Sequence, residues 1–183
     1  MKTVTLYSIG HGSRSAEELI ALLKTAGVTT LVDVRAQPAS ARHPQFSMEP
    51  LRQALEKQGI VYHWAGRHLG GFRQPRPNSP HIALDSEGFR GFADHMDSEM
   101  FQRGASQLIN LGMKAPTAFL CAEKLPAQCH RSLIADYLVL KGVNVMHLIE
   151  AGDTREHLLN PRARTESGKL VYDRQASRPL PLT

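Results

Sequence analysis

The feature that most constrains the fold is a regular alternation of short strand patterns with helical patterns. Between successive strand-like runs, apolar residues return at intervals of three and four, which is the spacing of an amphipathic helix. Parallel strands need helical crossovers of this kind, and near-continuous apolar runs are typical of buried parallel strands. The alternation therefore predicts an α/β fold. The strand-like runs cover 3–9, 29–34, 60–64, 116–121 and 143–149.

We expect a three-layer α/β domain, in which a mainly parallel sheet of about five strands carries helices on both faces. A capping box, in which Ser15 is followed three residues later by Glu18, marks the start of the first helix. Glycines follow several of the helical patterns and are plausible C-terminal caps. Further helices are predicted over about 47–58, around 89–96, from 98 onwards and ahead of Gly142.

Length and composition predict one domain over 1–183. A chain of 183 residues, with 42% hydrophobic and 21% charged residues, can bury a sizeable core. The final part, 150–183, is a polar C-terminal extension whose segment SGKLVYD predicts a small hairpin at an edge of the sheet. The stretch 65–88 is loop-like because it contains several prolines and two adjacent glycines, and loops of this length are often functional.

The composition also restricts the compartment. No apolar stretch approaches the ~20 residues of a membrane helix, and the first residues lack the apolar core of a signal peptide. Two cysteines do not make a disulfide framework. We therefore expect a soluble protein of the reducing cytoplasm, without a membrane partner. The sequence identifies no cofactor and leaves the oligomeric state open.

Unusual polar residues cluster where the predicted strands end. Ligands of open α/β sheets bind beyond the carboxyl ends of the strands. The net charge of +5 favours an anion there but is too small to establish nucleic-acid binding. We therefore predict one basic pocket at this edge. The residues are His11, Ser13 and Arg14 after the first strand, Asp33 and Arg35 at the second, His63 and Trp64 at the third, Cys121 and Glu123 at the fourth, and Glu150 at the fifth.

The turn GHGSRS suits an anion, since its glycines permit close backbone approach and the helix start offers free N–H groups. Ser13 and Arg14 would add hydrogen bonds. The alternative is a glycine-rich turn whose serine only caps the helix. A dinucleotide fingerprint is absent, because Ser15 stands where G-x-G-x-x-G requires its last glycine.

The stretch DVRAQPASARHPQF places Asp33 and Arg35 two residues apart, and therefore on one side of an extended strand. Arg35 and Arg42 could each hold a phosphate or carboxylate through two hydrogen bonds. Asp33 could orient one of these arginines. The alternative is an ion pair that only closes a loop.

The segment CAEKLPAQCHR contains both cysteines and admits three interpretations. Cys121 or Cys129 could be a nucleophile, with His130 or Glu123 transferring protons. The cysteines and His130 could bind a metal, although the spacing differs from that of zinc knuckles. Alternatively, both cysteines and His130 could have only structural roles. The phosphatase pattern C-x5-R is absent, and we favour an anion pocket to which Arg131 contributes without covalent chemistry.

Arginines and aromatic residues alternate over 63–76, a pattern that suits contact with nucleic acid. A basic surface loop explains the pattern better than nucleic-acid binding does. A flap over a small anionic ligand explains it as well as a surface loop does. Other histidines, including His95, His147 and His157, stand alone in the sequence and are interpreted as structural.

Four segments together resemble the bacterial and archaeal "domain of unknown function 488" family. They are SIGHGSRSAEELIALLKTAGV, LVDVRAQPASARHPQF, HLGG and FLCAEKLPAQCHRSLIADYL, within about 8–150. Family members usually read GHS-[TS]-R after the first strand, whereas Gly12 is inserted here. The resemblance implies a compact α/β domain and supplies no activity. The matching positions are Asp33, Arg35, Pro38, Arg42, Pro44, Cys121, Glu123, Cys129, His130 and Arg131.

The leading hypothesis is an enzyme or sensor for a small phosphorylated or nucleotide-like ligand. In it, Glu123 or His130 is the acid or base, and Cys121 or Cys129 is the nucleophile. The alternatives are a nucleic-acid-binding module and a cysteine-based redox or metal protein. The sequence does not decide whether the protein is an enzyme. The anion-binding residues of the leading hypothesis are His11, Ser13, Arg14, Arg35, Arg42 and Arg131, with Asp33 in support.

Overall fold

The computed structural model describes residues 2–175. Its strands are β1 (Thr5–Gly10), β2 (Thr30–Asp33), β3 (Val61–Trp64), β4 (Thr117–Cys121), β5 (Asn144–Glu150), β6 (Asp153–Glu156), β7 (Ala163–Glu166) and β8 (Lys169–Tyr172). Its helices are α1 (Ala16–Thr25), α2 (Met48–Glu56), α3 (Gly66–Leu69), α4 (Glu87–His95), α5 (Glu99–Lys114) and α6 (Arg131–Leu140). Single 3-10 turns cover Pro44–Phe46 and Pro126–Gln128.

The central sheet has the strand order β3-β2-β4-β1-β5-β6. The first five of these strands are mutually parallel, and β6 is antiparallel to β5. This confirms a mixed α/β fold with a mainly parallel sheet. The sheet has six strands rather than about five, because β6 joins its edge. The sequence of β6, DTRE, is polar and mostly exposed, so it lacks the apolar pattern by which the other strands are recognised.

Alternate side chains of the central strands enter two different hydrophobic clusters. On β4, Phe119 lies in a cluster with residues of α4, α5 and α6, whereas Leu120 lies in a cluster with residues of α1 and α2. On β1, Leu6 and Ile9 divide in the same way. Successive residues of a strand point to opposite faces, so the two clusters take their strand residues from opposite faces of the sheet.

Serine side chains begin three of the helices. Ser15 accepts a hydrogen bond from the Glu18 N–H, and the Glu18 carboxylate reaches back to Ser15, as the capping box predicts. Ser86 and Ser98 cap α4 and α5 in the same manner. These caps satisfy N–H groups that a helix start leaves free. Among the residues that the structure describes, no helix is long and apolar enough to cross a membrane.

The predicted C-terminal hairpin is present but lies elsewhere. Strands β7 and β8 pair antiparallel as a separate two-stranded sheet, so the prediction of a hairpin at an edge of the main sheet is wrong. Tyr172 at the end of β8 is fully buried, and its hydroxyl donates a 2.7 Å hydrogen bond to Asp136 on α6. The hairpin is therefore anchored by α6 rather than by a strand of the main sheet.

The stretch 65–88, predicted as a loop, contains the four-residue helix α3 and the start of α4. Helix α3 packs against the chain that leaves β2. A Cβ atom at Gly66 would lie 2.0 Å from the Arg35 carbonyl oxygen, and one at Gly70 would lie 2.8 Å from Ala36. Only glycine permits this approach, which carries the chain from α3 to the ends of β2 and β4.

Candidate functional site

A cleft of about 730 Å³ opens at the carboxyl ends of β1, β2 and β4, and is termed here the strand-end cleft. It lies where ligands of parallel α/β sheets bind. Eight of the eleven predicted site residues line it: His11, Ser13, Arg35, Arg42, Cys121, Glu123, Cys129 and His130. Arg14, Asp33 and Arg131 do not.

Several lining residues were missed from the sequence. His43 and Gln128 lie in the segments DVRAQPASARHPQF and CAEKLPAQCHR, which already contain predicted site residues. Their neighbours in the chain therefore bring them to the cleft. Ser86 and Phe89 come from the start of α4. Their approach depends on the irregular chain over 70–86, which carries no periodic pattern.

Arg35 is held rigidly in the wall of the strand-end cleft by Asp33. Its Nε donates to one carboxylate oxygen at 2.9 Å and its Nη2 to the other at 2.7 Å, and both side chains are buried. The Arg35 backbone N–H adds a third hydrogen bond at 3.1 Å. Its Nη1 is buried and has no hydrogen-bond partner among the described residues. The two N–H groups of Nη1 are therefore left without an acceptor among the described residues.

The Asp33–Arg35 pair is itself supported by aromatic residues of β3. The Tyr62 hydroxyl donates a 2.6 Å hydrogen bond to Asp33 Oδ2, and burial together with the Asp33 charge raises the pKa of Tyr62 above its usual value. Trp64 Nε1 donates to the Arg35 carbonyl oxygen at 2.9 Å. Both side chain and backbone of Arg35 are thus fixed before any ligand arrives.

The turn after β1 presents a neutral imidazole. His11 Nδ1 donates to the Gly12 carbonyl oxygen at 2.9 Å, and its ring stacks on Phe46 with 4.6 Å between centroids. Burial lowers the pKa of His11. Gly12 has a φ of +51°, which glycine adopts at no steric cost. The inserted glycine is therefore accommodated by a left-handed turn.

The rim of the strand-end cleft is more open. Ser13 and Arg42 are both exposed there. Phe72 lines the cleft with 87% of its side chain exposed, and its backbone has a φ of +59°. An exposed large aromatic residue in the left-handed region is uncommon and marks this position for a functional explanation.

The two cysteines lie together in the wall of the cleft. Cys121 ends β4, Cys129 directly precedes the turn into α6, and their sulfur atoms are in contact. The Cα separation of 7.4 Å is wider than that of bridged cysteines, so a disulfide here needs a small movement of the backbone. Within residues 2–175, no group of three His, Cys, Asp or Glu side chains is placed to hold a metal ion.

His130 is positioned between a backbone carbonyl and Cys129. Its Nε2 lies 3.2 Å from the Val34 carbonyl oxygen, and its Nδ1 lies 3.4 Å from Cys129 Sγ. A carbonyl oxygen only accepts, so Nε2 carries the hydrogen and Nδ1 presents its lone pair. Burial lowers the pKa of His130 to about 4. The imidazole is therefore neutral at pH 7 and is a weaker base than an ordinary histidine.

Arg14 and Arg131 lie behind the strand-end cleft, so their predicted place in its wall is wrong. Arg14 donates to the main-chain carbonyls of Gly10 and Ile149, and Arg131 donates to that of Lys124 at 3.1 Å. Nε and Nη1 of Arg131 are buried without a partner among the described residues. Burial and the nearby Arg14 lower the pKa of Arg131 to about 9. Their side chains add positive charge behind the cleft.

The basic stretch 63–76 is less available to nucleic acid than its sequence indicates. Arg73 donates to the main-chain carbonyls of Gly70 and Arg67, and Arg76 pairs with Asp94 at 3.1 Å. Gly71 and Phe72 of this stretch reach the strand-end cleft instead.

Two histidines that were interpreted as isolated belong to a buried hydrogen-bonded chain. Ser8 Oγ lies 2.7 Å from His147 Nδ1, His147 Nε2 lies 2.8 Å from His157 Nδ1, and His157 Nε2 lies 2.7 Å from Asp136. Asp136 also accepts from Tyr172. The chain joins β1, β5, α6 and β8. It cannot be recognised in the sequence, because its members come from separate segments.

Comparison with known proteins gives a family but no activity. A family model described as "Domain of unknown function DUF488" matches residues 15–138. This confirms the resemblance inferred from the four sequence segments. No curated protein and no solved structure matches the chain.

Proposed function

We propose that this chain, which belongs to the DUF488 family, binds a small phosphorylated or nucleotide-like ligand in the strand-end cleft. The observation that carries the proposal is the state of Arg35. Asp33 occupies one edge of its guanidinium, through Nε and Nη2, while the buried Nη1 has no partner among the described residues. An unsatisfied charged donor is costly unless a ligand completes it, and an anion oxygen is the matching acceptor.

Positive charge around Arg35 favours an anionic ligand. Arg42 stands exposed on the same cleft, and the main-chain-bonded Arg14 and Arg131 lie behind it. The charged side chains in the lining are those of Arg35, Arg42 and Glu123, so positive charge exceeds negative charge there and favours an anion. The polar groups of Ser13 and His43 add hydrogen-bonding capacity at the same wall.

The aromatic rim supports a ligand that carries a planar ring. Phe72 and Phe89 both line the strand-end cleft. An exposed phenyl ring offers a face on which a base can stack, worth ~1–3 kcal/mol in single-stranded nucleic-acid complexes. A nucleotide would place its phosphate at Arg35 and its base against this rim.

Chemistry on the ligand has candidate groups in place. The neutral His130 and the exposed Glu123 both line the cleft and can transfer protons. We also propose a cytoplasmic location, on the sequence grounds given above.

The test is isothermal titration with inorganic phosphate and with nucleoside monophosphates. We expect binding that Arg42→Ala weakens about tenfold, because an exposed rim arginine can be removed without leaving a buried partner unpaired. Arg35→Ala should abolish binding, with circular dichroism as the check on folding. Arg103→Ala, which removes the same charge from the exposed face of α5, is the matched control. Equal affinities in wild type and Arg42→Ala, or no binding of any probe by folded wild type, would reject the proposal.

A further inference from the structure

The strand-end cleft contains a second chemical feature, the pair Cys121 and Cys129, which anion binding does not need. Both residues line the cleft, and their sulfur atoms are in contact. A structural disulfide is uncommon in cytosolic proteins, where cysteine pairs are usually transient and catalytic or redox-sensing. The expected reducing compartment therefore favours a pair that opens and closes.

The surroundings of Cys129 favour its thiolate. His130 Nδ1, 3.4 Å from Cys129 Sγ, can accept the thiol proton because its Nε2 hydrogen is held by the Val34 carbonyl. The backbone N–H of Arg131 donates to the same sulfur at 3.4 Å. A cysteine at the start of the ten-residue helix α6 also experiences the positive end of the helix dipole.

The surroundings of Cys121 favour its protonated thiol. It ends the buried strand β4 and is 1% exposed, against 6% for Cys129. Its sulfur lies 4.0 Å from the Glu123 carbonyl oxygen, an acceptor that suits an S–H donor and not a thiolate. The two cysteines are therefore unlike each other, as attacking and resolving thiols are.

We infer that Cys121 and Cys129 form a reversible dithiol–disulfide centre that reduces small anionic disulfides, with Cys129 attacking and Cys121 resolving. The preference for an anionic substrate rests on the proposed anion-binding role of Arg35 and Arg42. The dithiol–disulfide chemistry itself depends only on the cysteine pair and His130.

The reaction balances in two exchange steps. Cys129 gives its proton to His130 Nδ1 and attacks a substrate disulfide RSSR, which forms Cys129–S–S–R and releases RS⁻, and this takes the proton from His130. Cys121 then loses its proton to His130 and attacks Cys129 Sγ. The mixed disulfide breaks and a second RSH leaves. The protein gains its internal disulfide and the substrate is reduced to two thiols. A dithiol reductant restores the starting state by the reverse exchange.

The experiment compares two chromogenic disulfides on the fully reduced protein. Dithiobis(nitrobenzoate) is anionic and 4,4′-dithiodipyridine is neutral. We expect wild type to release two thiols per chain with either probe and to end with an internal disulfide, seen in the mass of the intact protein. Cys121→Ser should release one thiol and keep the probe on Cys129. Cys129→Ser should react at least about tenfold more slowly than Cys121→Ser.

His130→Gln should slow the first release about tenfold at pH 7, and less at a pH where the Cys129 thiol ionises without help. Lys57→Gln, an exposed substitution at the end of α2, is the control and should leave the rate unchanged. If a cysteine variant does not fold, peptide mapping of wild type treated with less than one equivalent of probe identifies the cysteine that reacts first.

The outcomes separate the two proposals. If no internal disulfide forms with either probe, or Cys121 reacts first, the redox centre is wrong. If the disulfide forms but Arg42→Ala slows neither probe selectively, the cysteine chemistry stands and the anionic preference fails. Selective slowing of the anionic probe by Arg42→Ala supports both.

Discussion

At the scale of single residues, the site depends on one buried ion pair. Asp33 accepts hydrogen bonds from Arg35 and Tyr62, and this arrangement aims the remaining donor of Arg35. An arginine held this way has little conformational entropy left to lose when a ligand binds, which is the usual source of preorganised affinity.

Removing the carboxylate should show how much the pair contributes. Asp33→Ala leaves the Arg35 charge buried and uncompensated, so we expect the free energy of unfolding to fall by about 3–5 kcal/mol. Tyr62→Phe removes one hydrogen bond and should cost about 1 kcal/mol. Urea denaturation of the two variants measures both. Equal losses would contradict the assignment of the ion pair as the main support.

The spacing of Asp33 and Arg35 was enough to predict their partnership, because residues two apart on a strand share a side. The sequence did not separate wall residues from residues behind the wall. Arg14 and Arg131 carry the same charge as Arg42, and their burial depends on tertiary packing that local spacing does not encode. Phe72 was marked by the loop around it, but its exposure was visible only in the structure.

At the scale of elements, the connection between β4 and α6 passes directly over the end of β1. A Cβ atom at Gly10 would lie 1.7 Å from the Glu123 carbonyl oxygen and 2.9 Å from Arg131 Nη1. Because the first of these is backbone, the segment 122–130 must move if Gly10 gains a side chain.

Gly10→Ala should therefore lower the free energy of unfolding by about 1–3 kcal/mol, in the range of overpacked sites. It should also weaken ligand binding, since the displaced segment carries Glu123 and His130. Gly88→Ala in α4 is the control, because its added Cβ would have only Ser86 Oγ nearby, at 3.8 Å. We expect that control to be neutral or slightly stabilising. Thermal denaturation of both variants decides the point.

The buried chain from Ser8 to Tyr172 joins four elements through Asp136. An ionised Asp136 only accepts, so His157 and His147 must each donate from Nε2, and the Ser8 hydroxyl donates to His147. Each hydrogen bond between Ser8 and Asp136 is then donated towards Asp136.

Asp136→Asn replaces one accepting oxygen by an NH₂ group. The variant can then no longer accept hydrogen bonds from both His157 and Tyr172. We expect a loss of about 2–4 kcal/mol in the free energy of unfolding. Asp153→Asn changes an exposed pair with Arg155 and should cost less than about 1 kcal/mol. Chemical denaturation compares the two, and similar losses would mean that the buried chain adds no stability.

The elements themselves were largely predictable, because the apolar runs and serine caps are local signals. The strands β1 to β5 and the helices α1, α2, α4, α5 and α6 lie where those signals placed them. Strand β6 is polar, and α3 is one turn long, so neither has a periodic pattern. The hairpin β7–β8 was recognised, but its place depends on the long-range contact of Tyr172 with Asp136.

At the scale of the whole molecule, buried histidines make stability depend on pH. Burial lowers the pKa of His130 to about 4 and that of His147 to about 3, from an ordinary value of 6.5. The unfolded chain therefore takes up these protons first as the pH falls. The contribution of these neutral histidines to the free energy of unfolding is fully present above pH 6.5 and is lost progressively towards pH 4.

For His130 alone the loss should be about 1–2 kcal/mol at pH 5. Urea denaturation of wild type at several pH values between 7 and 4 should show the decline, and His130→Gln should show a shallower one. A wild-type profile that is flat over this range would contradict neutral burial of these histidines.

The central position of β1 has a consequence for how the chain is made. Its two neighbours in the sheet are β4 and β5, and β4 begins about 110 residues later. At a synthesis rate of roughly 5–20 residues per second, β1 leaves the ribosome on the order of ten seconds before its first partner exists. During that time an apolar strand has both edges unpaired. The first of these sheet strands to be translated is thus among the last to be paired, and the nascent chain should depend on chaperones until β4 and β5 emerge.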